Sequence, residues 1–264
     1  CVSGVCSNTN IGEISETFVT ANFAAAGGVG GSGYSIAGIT LQNPVIYLIK
    51  YYDDYSFLNL PALTGVKDDL IYSARSGCQG KEINVIASKD VSAYGLETGK
   101  RVMMLNGSNT EIVTAEYYNA RNNPIQSLSV NVSDGVKDRY YRDYTFTGRI
   151  KRVLHEQEKG HHAVLEVITY TYDVTERLET ISHKFGSCPE VRILKNLYDE
   201  VGRLEGQVVN NGRDTVSYAY NLRGWMMSID SPVFSQKLYY NNGPGTARYD
   251  GNISAISWVS GTDI

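Results

Sequence analysis

From Pro44 onward, the pattern of apolar and polar positions turns to that of β-strands. Val45-Ile46-Tyr47-Leu48-Ile49-Lys50-Tyr51-Tyr52 is dense in β-branched and aromatic residues, as strands are. Thr215-Val216-Ser217-Tyr218-Ala219-Tyr220 alternates small and large side chains and then meets a turn. Val102–Leu105 and Glu111–Tyr118 read as two strands closed by Asn106-Gly107, and Ser235–Tyr240 and Ile253–Val259 as two more around Gly243-Pro244-Gly245. Residues 63–101 carry Gly65, Gly77, Gly80, Gly95 and Gly99 and read as turns. No long, capped, amphipathic helix is predicted anywhere, so the fold class is all-β: an array of stacked antiparallel β-hairpins with little or no helix. Residues 1–43 differ. Ala24–Gly33 (AAAGGVGGSG) offers no packing surface and predicts a mobile loop, and Ile11–Phe23 fits a short helix or an edge strand equally. The expected division is residues 1–43, Gly/Ala-rich and partly flexible, and 44–264, the hairpin array.

The turns between strands share a signature. In Tyr198-Asp199-Glu200-Val201-Gly202-Arg203-Leu204, Asp199 stands where a turn favours a short acceptor side chain, and Gly202 where the chain swings to positive φ. That register sets Asp199 opposite Arg203 and Tyr198 opposite Leu204. Tyr144 is followed by Gly148, Arg149 and Ile150; Tyr172 by Asp173, Glu176, Arg177 and Leu178; Tyr220 by Asn221, Gly224, Trp225 and Met226. Tyr118 opens a decayed copy with Asn119, Asn122, Asn123 and Pro124. The tyrosines at 118, 144, 172, 198 and 220 are 26, 28, 26 and 22 residues apart, a period that indicates stacked hairpin units. Asn122 and Glu176 occupy the left-handed position. Asn tolerates it and Glu does not, so the turn at 172–178 is expected to differ. A further turn is expected at Asn210-Asn211-Gly212-Arg213, with Asn-Gly as a two-residue loop.

The Y-D-x-x-G-R-L pattern, with YAYN-x-R-G-W, LYYNN and YDGNIS after it, resembles the YD-repeat or RHS-repeat family over residues 44 to 258. Tyr51–Leu58 (YYDDYSFL) resembles a segment found upstream in the large RHS proteins of Bacteroidetes. The resemblance implies a strip of hairpins that spirals into a hollow shell, as in bacterial toxin complexes and teneurins, and encloses, carries or displays another polypeptide. It also implies carbohydrate binding as a second use of the repeat. The family's self-cleaving core carries an Asp-Pro sequence, and no Asp-Pro occurs in this chain. The structural residues carried over are Tyr144, Gly148, Arg149, Tyr172, Asp173, Arg177, Tyr198, Asp199, Gly202, Arg203, Tyr220 and Gly224. The expected partners are other repeats or domains of the same longer chain, an enclosed polypeptide, or a surface glycan, with a location outside the cell or on its surface.

Composition narrows the function further. The 264 residues are 42% hydrophobic and 20% charged, which suits a packed chain. Twenty tyrosines against six phenylalanines suit half-wet strands, where the ring packs and the hydroxyl finds a partner. A net charge of −4 without a basic cluster argues against nucleic acid and anionic membranes, and no apolar run approaches the ~20 residues of a membrane span. The chain is expected to be a segment of a longer protein, although Cys1 could also open a mature lipoprotein. Cys1, Cys6, Cys78 and Cys188 do not make a disulfide scaffold; Cys1 and Cys6 could pair, or all could be free thiols.

The chemistry-bearing residues do not assemble into a motif. His155, His161, His162 and His183, with Glu156 and Glu158, lack the spacing of a zinc site and read as a hairpin tip. Asp53, Asp54, Asp68 and Asp69 read as acidic turns, without a calcium-binding series. There is no G-x-S-x-G elbow or P-loop, and Gly28–Gly33 has no strand–helix context to hold a phosphate. No cofactor, metal or catalytic residue is expected, and the chain reads as non-enzymatic. Trp225 and Trp258 are the candidates for stacking a sugar ring, with Trp225 expected to face away from Tyr220.

Overall fold

The computed structural model describes residues 2–3, 22–23, 28–35, 45–73, 93–105 and 110–261. The chain is all-β and divides into two compact units, Cys1–Leu165 and Glu166–Ile264. In the first, six strands follow one another as an antiparallel meander: β1 Leu48–Asp53, β2 Ala93–Met103, β3 Glu111–Tyr118, β4 Pro124–Asn131, β5 Lys137–Tyr144 and β6 Ile150–Lys159. Two-residue pairings join Val2–Ser3 to Val45–Ile46 and Asn22–Phe23 to Tyr34–Ser35.

Residues directly opposite across an antiparallel pair share a face. One face of the first unit therefore carries two rows, Ile49–Arg101–Val113–Val130–Lys137–Glu158 and Tyr51–Gly99–Ala115–Leu128–Arg139–Glu156. The rows are apolar over β3 and β4 and charged over β5 and β6. Short helical turns at Ser56–Asn59, Pro61–Leu63 and Lys67–Leu70 cover the apolar part, burying Phe57, Leu58, Leu60, Leu63 and Leu70 against Val113, Ala115, Leu128 and Val130. Phe57 stacks on Tyr51 with ring centroids 4.5 Å apart. It takes its seat because Gly99 has no side chain: a Cβ there would lie 2.2 Å from the ring.

This corrects two expectations. Gly95 and Gly99 belong to an 11-residue strand, not a turn region; Gly99 is small because a ring packs over it. The described part of the glycine-rich run, residues 28–33, does offer a packing surface. Ser32 is 3% exposed, the Tyr51 hydroxyl donates to its carbonyl at 2.8 Å, and Arg101 Nη1 donates to the Gly31 carbonyl at 2.7 Å. Without side chains in the way, the backbone itself becomes the packing surface. Residues 24–27, most of 11–23, and the Asn106-Gly107 turn lie outside the described residues.

The boundary between the units falls within β7, His162–Tyr172. The meander of the second unit continues with β8 Leu178–Phe185, β9 Val191–Tyr198, β10 Leu204–Val209, β11 Asp214–Tyr220, β12 Met226–Ser231, β13 Phe234–Tyr239 and β14 Ala255–Ser260. All its described elements are strands and turns of this one ladder, so it is a single layer. One face carries Tyr170–Ile181–Leu194–Val209 and Tyr218–Ile229–Gln236–Trp258; the other carries Thr171–Thr180–Lys195–Val208–Thr215 and Leu197–Gly206–Ser217–Asp230–Ser235–Val259. The loop after β10 differs from expectation. Val209 pairs with Asp214, so four residues make the loop, and Asn210, Asn211 and Gly212 all take positive φ.

Candidate functional site

The repeat signature builds the same device at each turn. The Asp199 amide donates to the Arg203 carbonyl at 2.9 Å, and Gly202, at φ +90°, donates back to the Asp199 carbonyl. The Asp199 carboxylate accepts from the Val201 and Arg203 amides through Oδ1, and from Arg203 Nε at 2.7 Å through Oδ2. Asp173 does the same with Thr175 and Arg177. Being drawn away from water works to raise the Asp173 carboxyl, but the Arg177 amide, the Thr175 hydroxyl and the Arg177 guanidinium outweigh it and hold the group at about 2. This network keeps the turn at 172–178 in the repeat geometry, against expectation, with Glu176 at φ +63°. Asn221, Asn119 and Thr145 supply the same acceptor in the other turns. Thr145 went unread in the sequence because it is neither Asp nor Asn, although its hydroxyl performs the same task.

A second contact joins one unit to the next. Tyr118 donates its hydroxyl to the Glu97 carbonyl, Tyr144 to Pro124, Tyr198 to Leu178 and Tyr220 to Leu204, at 2.7 to 2.9 Å. In the last three the acceptor is the residue that leaves the preceding turn. Tyr240 joins the series on the Met226 carbonyl at 2.8 Å; the LYYNN run was its only signal in the sequence. Arginines add a layer. Arg177 lies 4.3 Å over the Tyr198 ring and Arg203 4.9 Å over Tyr220, with Arg203 Nη1 donating to the Asn221 carbonyl. Arg121 lies over Phe146 and donates to its carbonyl. Gly202 is required here for space as well as conformation, since a Cβ would lie 2.8 Å from Arg177 Nη1. Gly148 and Gly224 take φ +90° and +80° in their own turns, Arg149 donates its amide to Thr145, and Tyr172 pairs with Leu178.

The two tryptophans stand in different settings. Trp225 packs against Tyr240 at 5.0 Å, with Arg223 over its ring and Gly251 close enough that a Cβ would lie 3.3 Å away. Trp258, on β14 opposite Gln236, is 64% exposed. The histidines are spread among carboxylates: His155 stacks on Tyr140 and meets Asp138 at 3.0 Å, and His183 lies 2.7 Å from Glu166. Asp53 accepts from the Gly95 amide, and Asp54 from Ser56. Cys188 is an exposed thiol; Cys1, Cys6 and Cys78 lie outside the described residues.

Where the rows of the first unit turn charged, a cleft of about 300 Å³ opens beside the Lys67–Leu70 turn. Asp68, Asp69, Tyr72, Arg139, Tyr141 and Glu156 line it. Lys137 reaches Asp69 at 2.7 Å, and Arg139 reaches Glu158 at 2.7 Å and Glu156 at 3.7 Å. The hydrogen bond to Asp69 raises the Lys137 ammonium, and the one from Arg139 lowers the Glu158 carboxyl, so the network stays ionised near neutrality. Distant parts of the chain meet here, and no sequence motif announced it.

No protein-family model and no curated protein matches the chain. Among solved structures, it resembles a crystal structure of TcdB2-TccC3 without its hypervariable C-terminal region over 54% of its length, at 8% identity and a TM-score of 0.28. It resembles one of TcdB2-TccC3-Cdc42 over 86%, at 11% identity and a TM-score of 0.28. The chain spans 11% and 12% of the length of those two structures.

Proposed function

We propose that this chain is a non-enzymatic repeat scaffold, part of an RHS-type β-shell that encloses, carries or displays another polypeptide at or outside the cell surface. The observation that carries the reading is the use made of the repeat's own functional groups. Tyrosine hydroxyls are bound to carbonyls, aspartates to arginines, and the arginines to the next ring. What remains for a partner is sheet surface, and the single-layer second unit offers it on both faces. A half-wet face of Tyr170, Ile181, Leu194 and Tyr218 suits an extended, weakly folded chain, which brings both apolar side chains and unpaired backbone groups. Titrating a labelled, permanently unfolded polypeptide, such as reduced and carboxymethylated lactalbumin, tests this. Saturable binding weakened by Leu194→Asp in a still-folded protein is expected, and no binding would overturn it.

Exposed Trp258 favours one alternative, a carbohydrate-binding surface in which the indole stacks on a sugar ring. A glycan array run with Trp258→Ala and Trp225→Ala separates the two. Binding that Trp258→Ala abolishes would replace the scaffold reading.

A further inference from the structure

We propose that β14 is an edge through which two copies of this chain pair, strand to strand, about a two-fold axis at Trp258. Strands β1 and β14 each have a ladder neighbour on one side only. β1 is guarded. Its pairing with β2 shifts register at Tyr51/Tyr52 and again at Tyr52/Asp53, its Lys50 is held by Glu97 at 2.7 Å, and the Tyr34 hydroxyl donates to the Lys50 carbonyl at 3.0 Å. Bulges, charges and covering groups are the usual means of keeping an edge from pairing. β14 lacks them: it carries no charged residue and no proline, keeps one register against β13, and exposes every residue but Ala255.

Backbone geometry identifies the open groups. Gly261 donates to the Val233 carbonyl at 3.2 Å, so alternation along the pair turns Val259 and Ser257 toward β13. The amides and carbonyls of Ile256, Trp258 and Ser260 are left pointing out of the sheet. Antiparallel pairing about Trp258 sets Trp258 against its own copy and Ile256 against Ser260 of the second copy, and every outward amide then meets an outward carbonyl. The side chains fit the same register. The two indoles form an aromatic pair, Ile256 lies beside Ser260, Val259 beside Ser257 and Ala255 beside Gly261, so each larger aliphatic side chain meets a small residue and no like charges face each other. An unrelated extended strand would share the backbone bonds but not this matching, which is what selects a second copy as the occupant. The interface is isologous, and with β1 guarded it closes at two copies. Six residues bury little surface, so the pairing is weak and reversible.

The test is sedimentation velocity of the whole chain over a concentration series reaching about 1 mM, where a monomer–dimer equilibrium is expected. Trp258→Lys and Trp258→Glu, at an exposed site, should each weaken dimerisation at least about tenfold with an unchanged melting temperature at low concentration, because like charges then face each other across the axis. Mixing the two variants should restore the dimer as a heterodimer, a rescue particular to a register in which residue 258 opposes itself. A labelled peptide carrying Ala255–Ser260 should bind the chain, and a scrambled peptide of the same composition should not. A scrambled peptide that binds as tightly would make β14 an edge for any extended polypeptide and overturn the second copy. A chain that stays monomeric throughout, a dimer indifferent to both substitutions, or a mixture no more dimeric than its components would each overturn the proposal.

Discussion

The two units carry the same turn signature and solve burial in opposite ways. Counting back from each repeat tyrosine, the odd positions of the first unit include Tyr117, Ala115 and Val113 before Tyr118, and these lie under the Ser56–Leu70 cover. In the second unit the odd positions include the polar Thr171 and Thr169, Lys195, Ser217 and Thr215 alongside Leu197, Ile193 and Ala219, and the even positions carry the apolar Tyr170, Leu194, Tyr218 and Val216 beside Asn196. In the first unit the even positions are the polar ones, Glu116 and Thr114. The turn therefore fixes where a hairpin bends and which residues pair, but not which side of the sheet is greasy. That side follows from what covers it.

The comparison breaks most readily at the cover. Leu63→Ala, at a fully buried site, should cost about 2–5 kcal/mol in urea unfolding, while Leu197→Ala, 42% exposed in the second unit, should cost under about 1 kcal/mol. Equal losses would mean that the second unit is covered as well. The next largest effect concerns the joints. Tyr198→Phe removes one hydroxyl from the Leu178 carbonyl and should cost about 1 kcal/mol, with faster amide exchange in β8 and β9 but not in β3 and β4. Exchange that rises equally in both units would refute local joints. Glu176→Gly should stabilise by about 0.5–1 kcal/mol, because glycine takes φ +63° without strain. A loss of stability would show that the Glu176 side chain outweighs its backbone strain.

The smallest effect depends on pH. Because the folded Asp173 carboxyl is depressed to about 2 from an ordinary 3.8, its stabilisation is complete above the ordinary value and fades as pH falls through that interval. Asp199 is depressed in the same direction. Amide exchange in β7 and β8 should therefore rise in acid ahead of exchange in β3 and β4, and Asp173→Asn should flatten that dependence. An unchanged acid profile in the variant would place the titration elsewhere.

Legibility followed distance along the chain. The turns were readable because the acceptor, the positive-φ residue and the arginine lie within five residues of one another. The Glu176 turn was misjudged by weighing one residue's backbone preference without the carboxylate network that overrides it. Gly99 was misread because its reason, Phe57, sits on another element. The cleft was invisible for the same cause: a helical turn at 67–70 and strands near 139 and 156 meet only after folding. Tyr240 was missed because its repeat lacks the flanking Asp and Arg, though it keeps the hydroxyl contact.

The hydroxyl-to-carbonyl joint has a consequence for how such a chain can evolve. Its acceptor is a main-chain carbonyl, which every residue owns, so the joint demands one tyrosine and nothing from its neighbour's side chain. It is also measured from a turn, so a strand can lengthen or shorten without disturbing it, in keeping with spacings that drift between 22 and 28 residues. A hairpin copied in or dropped out by recombination would find its docking point already present. An array joined this way can change length by whole units while its side-chain chemistry diverges beyond recognition.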